Sequence, residues 1–255
     1  MRIIAVIPAR LASTRLSRKM LREIAGKPLV GWVYEAVRSS PLLADVIIAT
    51  DSSEIFEVCR HHGWKAQMTG SHHRSGTERV HEISNSIAAD IYINIQGDEP
   101  MVRPEQIATL IDVMTPDVMK ADVAKPDVMK APGVPVGTIK TLCKPEDISN
   151  PNAVKVVTAA DGKALYFSRA TIPFDRDQTH PPYYKHLGLY AYRKQALDQF
   201  VSWTESALEK TERLEQLRFL ENGIPIHVGE TPFDSIGVDT EDDLNRVAEI
   251  LRKPH

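Results

Sequence analysis

Arg2-Ile3-Ile4-Ala5-Val6-Ile7-Pro8-Ala9-Arg10-Leu11-Ala12-Ser13-Thr14-Arg15-Leu16-Ser17-Arg18-Lys19 decides the fold. Its first part is apolar, β-branched and broken by Pro8, which predicts a buried parallel strand over residues 2–7. Its second part puts Arg10, Arg15, Arg18 and Lys19 on the loop leaving that strand's carboxyl end. In open α/β sheets ligands bind there. The net charge of the chain is −3, so four cations on one loop are a local concentration. Small residues let backbone N–H groups approach an anion, and the cations neutralise it. The loop reads as a triphosphate or pyrophosphate cradle; a solvated basic turn is the plainer alternative.

Outward from this loop, strands and helices alternate. Residues 45–50 (DVIIAT) and 91–95 (IYINI) have strand character. Residues 28–38, 53–62 and 77–87 carry helical spacing, with Pro28 suited to a first turn and Gly63 suited to closing the second helix. This alternation predicts an α/β fold with a mainly parallel sheet covered on both faces. No G-x-G-x-x-G follows the first strand and no G-x-x-x-x-G-K-[ST] occurs, which disfavours a dehydrogenase-type site and a P-loop. From residue 134 the pattern becomes strand-rich, at 136–142, 154–158, 164–168 and 186–192, with a hairpin turn at Asp161-Gly162. Helices at 194–201 and about 211–221, a strand at 226–228 and a helix after Thr240, capped by that Thr with Asp243, complete the chain. The expected organisation is a single domain over 1–255, with a smaller strand-rich lobe at 134–228. PDVMKA occurs twice, at 116–121 and 126–131, so 115–133 reads as a surface insertion born of a short tandem duplication.

Composition narrows the class. The chain is long enough for a large core and is not basic enough for a general nucleic-acid binder. No apolar run approaches membrane-spanning length, and the apolar start is too short for a signal peptide. Cys59 and Cys143 lack ligand spacing and read as buried thiols rather than a disulfide. Together these features point to the cytoplasm.

Several polar groups suit chemistry. Asp98, in Gln96-Gly97-Asp98-Glu99-Pro100 at a strand end, suits a hard cation or a turn. Asp239, before the last helix, suits a second metal carboxylate or a helix cap. Ser75 and Thr77, around Gly76, suit a cap or hydrogen bonds to a base edge. His72, His73 and His81 have poor metal-site spacing. Arg169 suits a substrate carboxylate or a surface ion pair, and His186, Tyr190, Glu215 and Gln216 add polar groups among strands and a helix.

Taken in order, IPARLAST, Arg15-Leu16…Lys19, Ala49-Thr50-Asp51, SGTER ending at Arg79, QGDEP, NPNAVK ending at Lys155, YFSRATIP, His186-Leu187-Gly188, LEQLR ending at Arg218 and Gly237-Val238-Asp239-Thr240 resemble the 3-deoxy-D-manno-octulosonate (Kdo) cytidylyltransferase family. The resemblance runs from residue 2 to about 250. It implies a three-layer α/β/α nucleotidyltransferase with a mostly parallel mixed sheet and a smaller sugar-binding and dimerisation lobe. It implies CTP and Kdo as substrates, Mg²⁺ as cofactor, CMP-Kdo for lipopolysaccharide as product, and a homodimer with no nucleic-acid or membrane partner. Arg10, Arg15, Lys19 and Asp98 match catalytic positions. Ala9, Arg10, Ser13, Lys19, Ser75, Gly76, Thr77, Gln96 and Gly97 match nucleotide positions. Arg169, His186, Tyr190, Glu215 and Gln216 match the sugar pocket, where Arg169 and His186 would suit the acid's negative charge. Asp98 and Asp239 match the metal acids. Ser17, Arg18 and Met20 depart from the family loop, which has Pro, Gly and Pro there; Arg18 is then a candidate extra phosphate contact. The alternative within the same chemistry is a related sugar acid, 8-amino-Kdo or sialic acid.

Overall fold

The computed structural model describes residues 1–11, 16–116 and 133–252. Ser13 and Arg15 lie outside them, as does nearly all of the duplicated segment. The chain forms two compact units, Met1–Pro104 with Ser235–His255, and Glu105–Asp234. The expected lobe at 134–228 falls inside the second.

In the first unit, β1 (Ile3–Ala9) lies between β4 (Asp45–Thr50) and β6 (Ile91–Asn94), with β5 (Ala66–Met68) beyond β4; all four are parallel. Ile4, Ala5, Val6 and Ile7 have no exposed surface, as expected for a strand covered on both faces. Pro8 does not end the strand. It pairs with Ala49, and the β6 register stops earlier, at Val6 opposite Asn94. Residues 6 and 8 of a strand point their N–H groups to the same side, so the donor that Pro8 lacks has no partner strand to miss.

Between strands run α1 (Leu29–Arg38), α2 (Ser53–His62) and α3 (Gly76–Ser86). Ser52 caps α2 and Gly63, at φ 72°, closes it. A small hairpin, β2 (Glu23–Ile24) and β3 (Lys27–Pro28), precedes α1. The last helix, which we number α9 (Glu241–Leu251), returns to this unit. Its Leu244, Val247 and Ala248 join Leu16, Ile24, Leu29 and Val238 in one apolar cluster. Thr240 and Asp243 form its capping box.

The second unit begins with α4 (Pro104–Met114), additional to the elements expected, which buries Ile107, Leu110, Ile111 and Met114 at helical spacing. β7 (Val136–Leu142) is flanked by antiparallel β10 (Tyr184–Tyr192) and parallel β11 (Ile226–Glu230). α5 (Pro145–Ile148) precedes the hairpin of β8 (Lys155–Thr158) and β9 (Ala164–Ser168), which turns at Gly162. α6 (Lys194–Ser202) follows β10. The single helix expected near 211–221 is instead α7 (Ala207–Glu212) and α8 (Leu217–Glu221). Arg213, at φ 55°, breaks them apart. The cause is tertiary: the Glu212 carboxylate is drawn onto the Ser168 hydroxyl and the Arg169 backbone N–H. Both cysteines are free, Cys59 buried and Cys143 half-buried.

Candidate active site

Lys19 is the centre of the first unit's site. It opens a turn of 3-10 helix, Lys19–Leu21, after the cradle loop, and is only 8% exposed. Its Nζ lies 2.5 Å from Asp98 Oδ2 and 3.0 Å from Asp239 Oδ1. Burial by itself would depress the ammonium pKa; Asp98, then Asp239, outweigh it and hold the value above the ordinary one. The two acids are thus brought together on one cation. The capping role open to Asp239 goes to Thr240, which leaves the Asp239 carboxylate facing Lys19.

The loop that carries Asp98 is tightly placed. A Cβ on Gly97 would stand 2.9 Å from the Pro8 carbonyl oxygen and 2.9 Å from Met20 Sδ, so only glycine fits without displacement. The Val238 N–H donates to the Asp98 carbonyl at 2.9 Å, tying the two acid-bearing segments together. Beside them, Ser75 caps α3 by accepting from the Glu78 N–H. Gly76 packs against Pro8 and Asn94. Ala9, Gln96 and Gly97 therefore sit at the carboxyl ends of adjacent strands, near the α3 N-terminus with Ser75, Gly76 and the buried Thr77. Arg10 follows β1 directly and is half-buried.

Other polar groups do structural work. Arg79 is fully buried and reaches Asp51 at 2.8 Å and Thr69 at 2.5 Å. His73 pairs with Glu82. Arg18 pairs with Glu54 in the structure rather than offering a free phosphate contact. It adopts φ 54°, a left-handed conformation that glycine takes without Cβ strain. Relief of that strain opposes the added chain entropy and the loss of an exposed ion pair. Arg18→Gly is therefore expected to shift stability by no more than about 1 kcal/mol and leave pyrophosphate release within about twofold. Thermal melts and a coupled pyrophosphate assay check both.

In the second unit, the His186 ring on β10 lies between Phe167 on β9, edge-on at 4.9 Å between centroids, and Tyr190 on its own strand, tilted at 5.3 Å. Tyr190 is 4% exposed, and burial, with Tyr192 and Glu215 nearby, raises its pKa well above the ordinary value. Gln216 is buried and its Nε2 has no hydrogen-bond partner among the described residues. Arg169 directs much of its guanidinium to backbone carbonyls. Its Nε donates to the Glu212 carbonyl at 2.7 Å, Nη1 to the Pro151 carbonyl at 3.0 Å and Nη2 to the Arg213 carbonyl at 3.4 Å. It braces the α7–α8 break, and three of its five N–H donors are committed.

The charge expected of His186 is absent. Burial pushes its pKa down to about 3, so the ring is neutral and acts by hydrogen bonding. This has a sign that can be checked. Below the ordinary value of 6.5 the unfolded chain takes up a proton that the folded chain refuses. The stability associated with His186 is present above 6.5 and is lost as pH falls toward about 3, at about 1.4 kcal/mol per pH unit. His186→Gln should flatten the acid limb by that slope. Denaturant melts of both proteins from pH 7 to 4 measure the difference.

Residues that motif reading missed include Asn94, fully buried with neither side-chain amide atom bonded among the described residues, and Thr138, bonded to His186. Asn94 is detectable as the one polar residue in the apolar run IYINI. Thr138, a β-branched residue in a strand, gives no such signal.

A family model described as cytidylyltransferase matches residues 4–226. A 3-deoxy-manno-octulosonate cytidylyltransferase of Koribacter versatilis is 58% identical, over 98% of this chain and 90% of that protein. A protein of the same description from Acidobacterium capsulatum is 53% identical, over 98% and 96%. Among solved structures, a CMP:2-keto-3-deoxy-manno-octonic acid synthetase complexed with CTP is 38% identical, covers 98% of each chain and superposes with a TM-score of 0.88.

Proposed function

The chain belongs to the 3-deoxy-manno-octulosonate cytidylyltransferase family, and on that premise we propose that it transfers CMP from CTP to the anomeric hydroxyl of Kdo, releasing pyrophosphate. The product, CMP-Kdo, serves lipopolysaccharide biosynthesis. The observation that carries the reading is the buried Lys19 ammonium held by Asp98 and Asp239 at the carboxyl end of β1. The sugar hydroxyl oxygen bonds to the α-phosphorus as the bond to the β-phosphate oxygen breaks. Negative charge then builds on the transferring and leaving groups, where a fixed cation counts most. Lys19 and Arg10 supply it, and Asp98 and Asp239 fix the Lys19 position.

Mg²⁺ is part of this proposal. Asp98 and Asp239 each present a carboxylate oxygen to the place that Lys19 Nζ fills in this structure; once the triphosphate draws the ammonium to its own oxygens, the two acids suit an ion that takes its remaining ligands from phosphate and water. Asp98 and Asp239 would hold it. When bound it supplies charge neutralisation and orientation of the triphosphate.

A homodimer and a cytoplasmic location complete the reading. Leu142, Leu165 and Phe174 expose apolar surface on the second unit, at 59%, 62% and 86%. No helix among the described residues is long and apolar enough to cross a membrane, and CTP is an intracellular substrate. The test is pyrophosphate release from CTP with Kdo, 8-amino-Kdo or sialic acid, with Mg²⁺ and with excess EDTA. Turnover is expected with Kdo and Mg²⁺, and at least 10²-fold less after chelation. Preference for another sugar acid, or full turnover in EDTA, would refute the corresponding part.

A further inference from the structure

β10 meets β7 with a break in register. Leu187 faces Ile139 and the next pair is Tyr190 with Thr138, so Gly188 and Leu189 bulge out of the ladder. Thr138, which has no exposed surface, stands opposite the bulge. Its Oγ1 lies 2.7 Å from the Leu189 carbonyl oxygen, 3.3 Å from the Leu187 carbonyl oxygen and 3.0 Å from His186 Nε2. A hydroxyl has one proton, and both carbonyls can only accept. The Thr138 proton therefore goes to a carbonyl, with Leu189 the nearer. What remains toward the ring is an oxygen lone pair, so Nε2 must carry the hydrogen. Nδ1 is left as an acceptor, and no described residue bonds it. The ring is flanked by Phe167 and Tyr190, and its burial keeps it neutral.

We propose that Thr138 is a positioning residue that locks His186 in the Nε2–H tautomer, so that Nδ1 accepts a hydrogen bond from a hydroxyl of the sugar acid. This rests on the reaction proposed above. It reverses the electrostatic role expected of His186: the ring reads a hydroxyl donor and does not attract the carboxylate. The bulge matters because it turns the Leu189 carbonyl toward Thr138 and so decides where the one proton goes.

The experiment has two arms. In ¹⁵N-histidine spectra of the whole protein near neutral pH, with His186 assigned by its loss in His186→Gln, a neutral ring protonated on Nε2 is expected. In steady-state kinetics, Thr138→Val should raise the KM for Kdo about fivefold to tenfold, with the KM for CTP within twofold, and Thr138→Ser should recover the wild-type Kdo value. A ring protonated on Nδ1, or on both nitrogens, overturns the proposal without recourse to any variant. So does a folded Thr138→Val enzyme whose Kdo KM stays within twofold of wild type. Failure of the wild-type chain to use Kdo at all would strike the reaction itself, while the spectra would still decide the tautomer.

Discussion

Lys19→Ala is expected to lower turnover by about 10²-fold or more at saturating CTP, Kdo and Mg²⁺, the scale of losing one well-aimed electrostatic group. The ammonium is buried and gripped by two carboxylates, so its position is fixed before substrate arrives. Removal takes away a cation at the proposed phosphate cradle and the counter-charge that Asp98 and Asp239 share. Lys19→Arg should be nearly as poor, because a planar guanidinium is wider than the point charge the two oxygens accommodate. Steady-state pyrophosphate release by the two variants is the measurement. A Lys19→Ala enzyme within about fivefold of wild type would remove Lys19 from the chemistry.

The second large effect is on stability. Arg218 on α8 and Glu209 on α7 are both buried, and the guanidinium meets both carboxylate oxygens, Nε to Oε2 at 2.7 Å and Nη2 to Oε1 at 2.5 Å. The same guanidinium lies 4.0 Å over the Phe200 ring. Arg218→Met strands a buried carboxylate and is expected to cost about 3–5 kcal/mol. Glu209→Leu combined with Arg218→Met should recover most of it, because a buried pair is worth little more than the apolar residues that replace both partners. Denaturant unfolding of the single and double variants checks this. A double variant as unstable as the single one would mean that the pair contributes more than mutual desolvation. Glu215 and Gln216 lie between the two helices, so the single variant should also weaken Kdo binding.

The sequence is legible wherever one local pattern suffices. β4, α2, β7 and β9 have the bounds that apolar runs and helical spacing predict, and Ser52 and Gly63 mark the ends of α2. It is less legible where a distant residue decides. Pro8 reads as a stop until the end of the neighbouring β6 register is known. Residues of about 211–221 read as one helix until Glu212 is seen bound to Ser168 and Arg169. The resemblance has His186 suit the sugar acid's negative charge, and only the fold shows the burial that keeps the ring neutral. Asp98 and Asp239 stand 79 and 220 residues from Lys19. No spacing rule joins such separations; the family resemblance paired the two acids as metal ligands, and only the fold shows the lysine they share. Arg169 illustrates the opposite case, a residue in a recognisable motif whose guanidinium is taken up largely by backbone carbonyls.

The first unit is built from both ends of the chain, and this bears on its birth on the ribosome. Synthesis delivers β1, the cradle loop and Asp98 early, and domains tend to fold as they emerge. Asp239 and the apolar face of α9 arrive only after the whole second unit has been translated. Until then Leu16, Ile24 and Leu29 lack the cover that Val238, Leu244 and Val247 provide. The nascent N-terminal portion therefore carries an exposed apolar patch and half of its carboxylate pair. A chain released early would be a client for chaperones, not a slow enzyme.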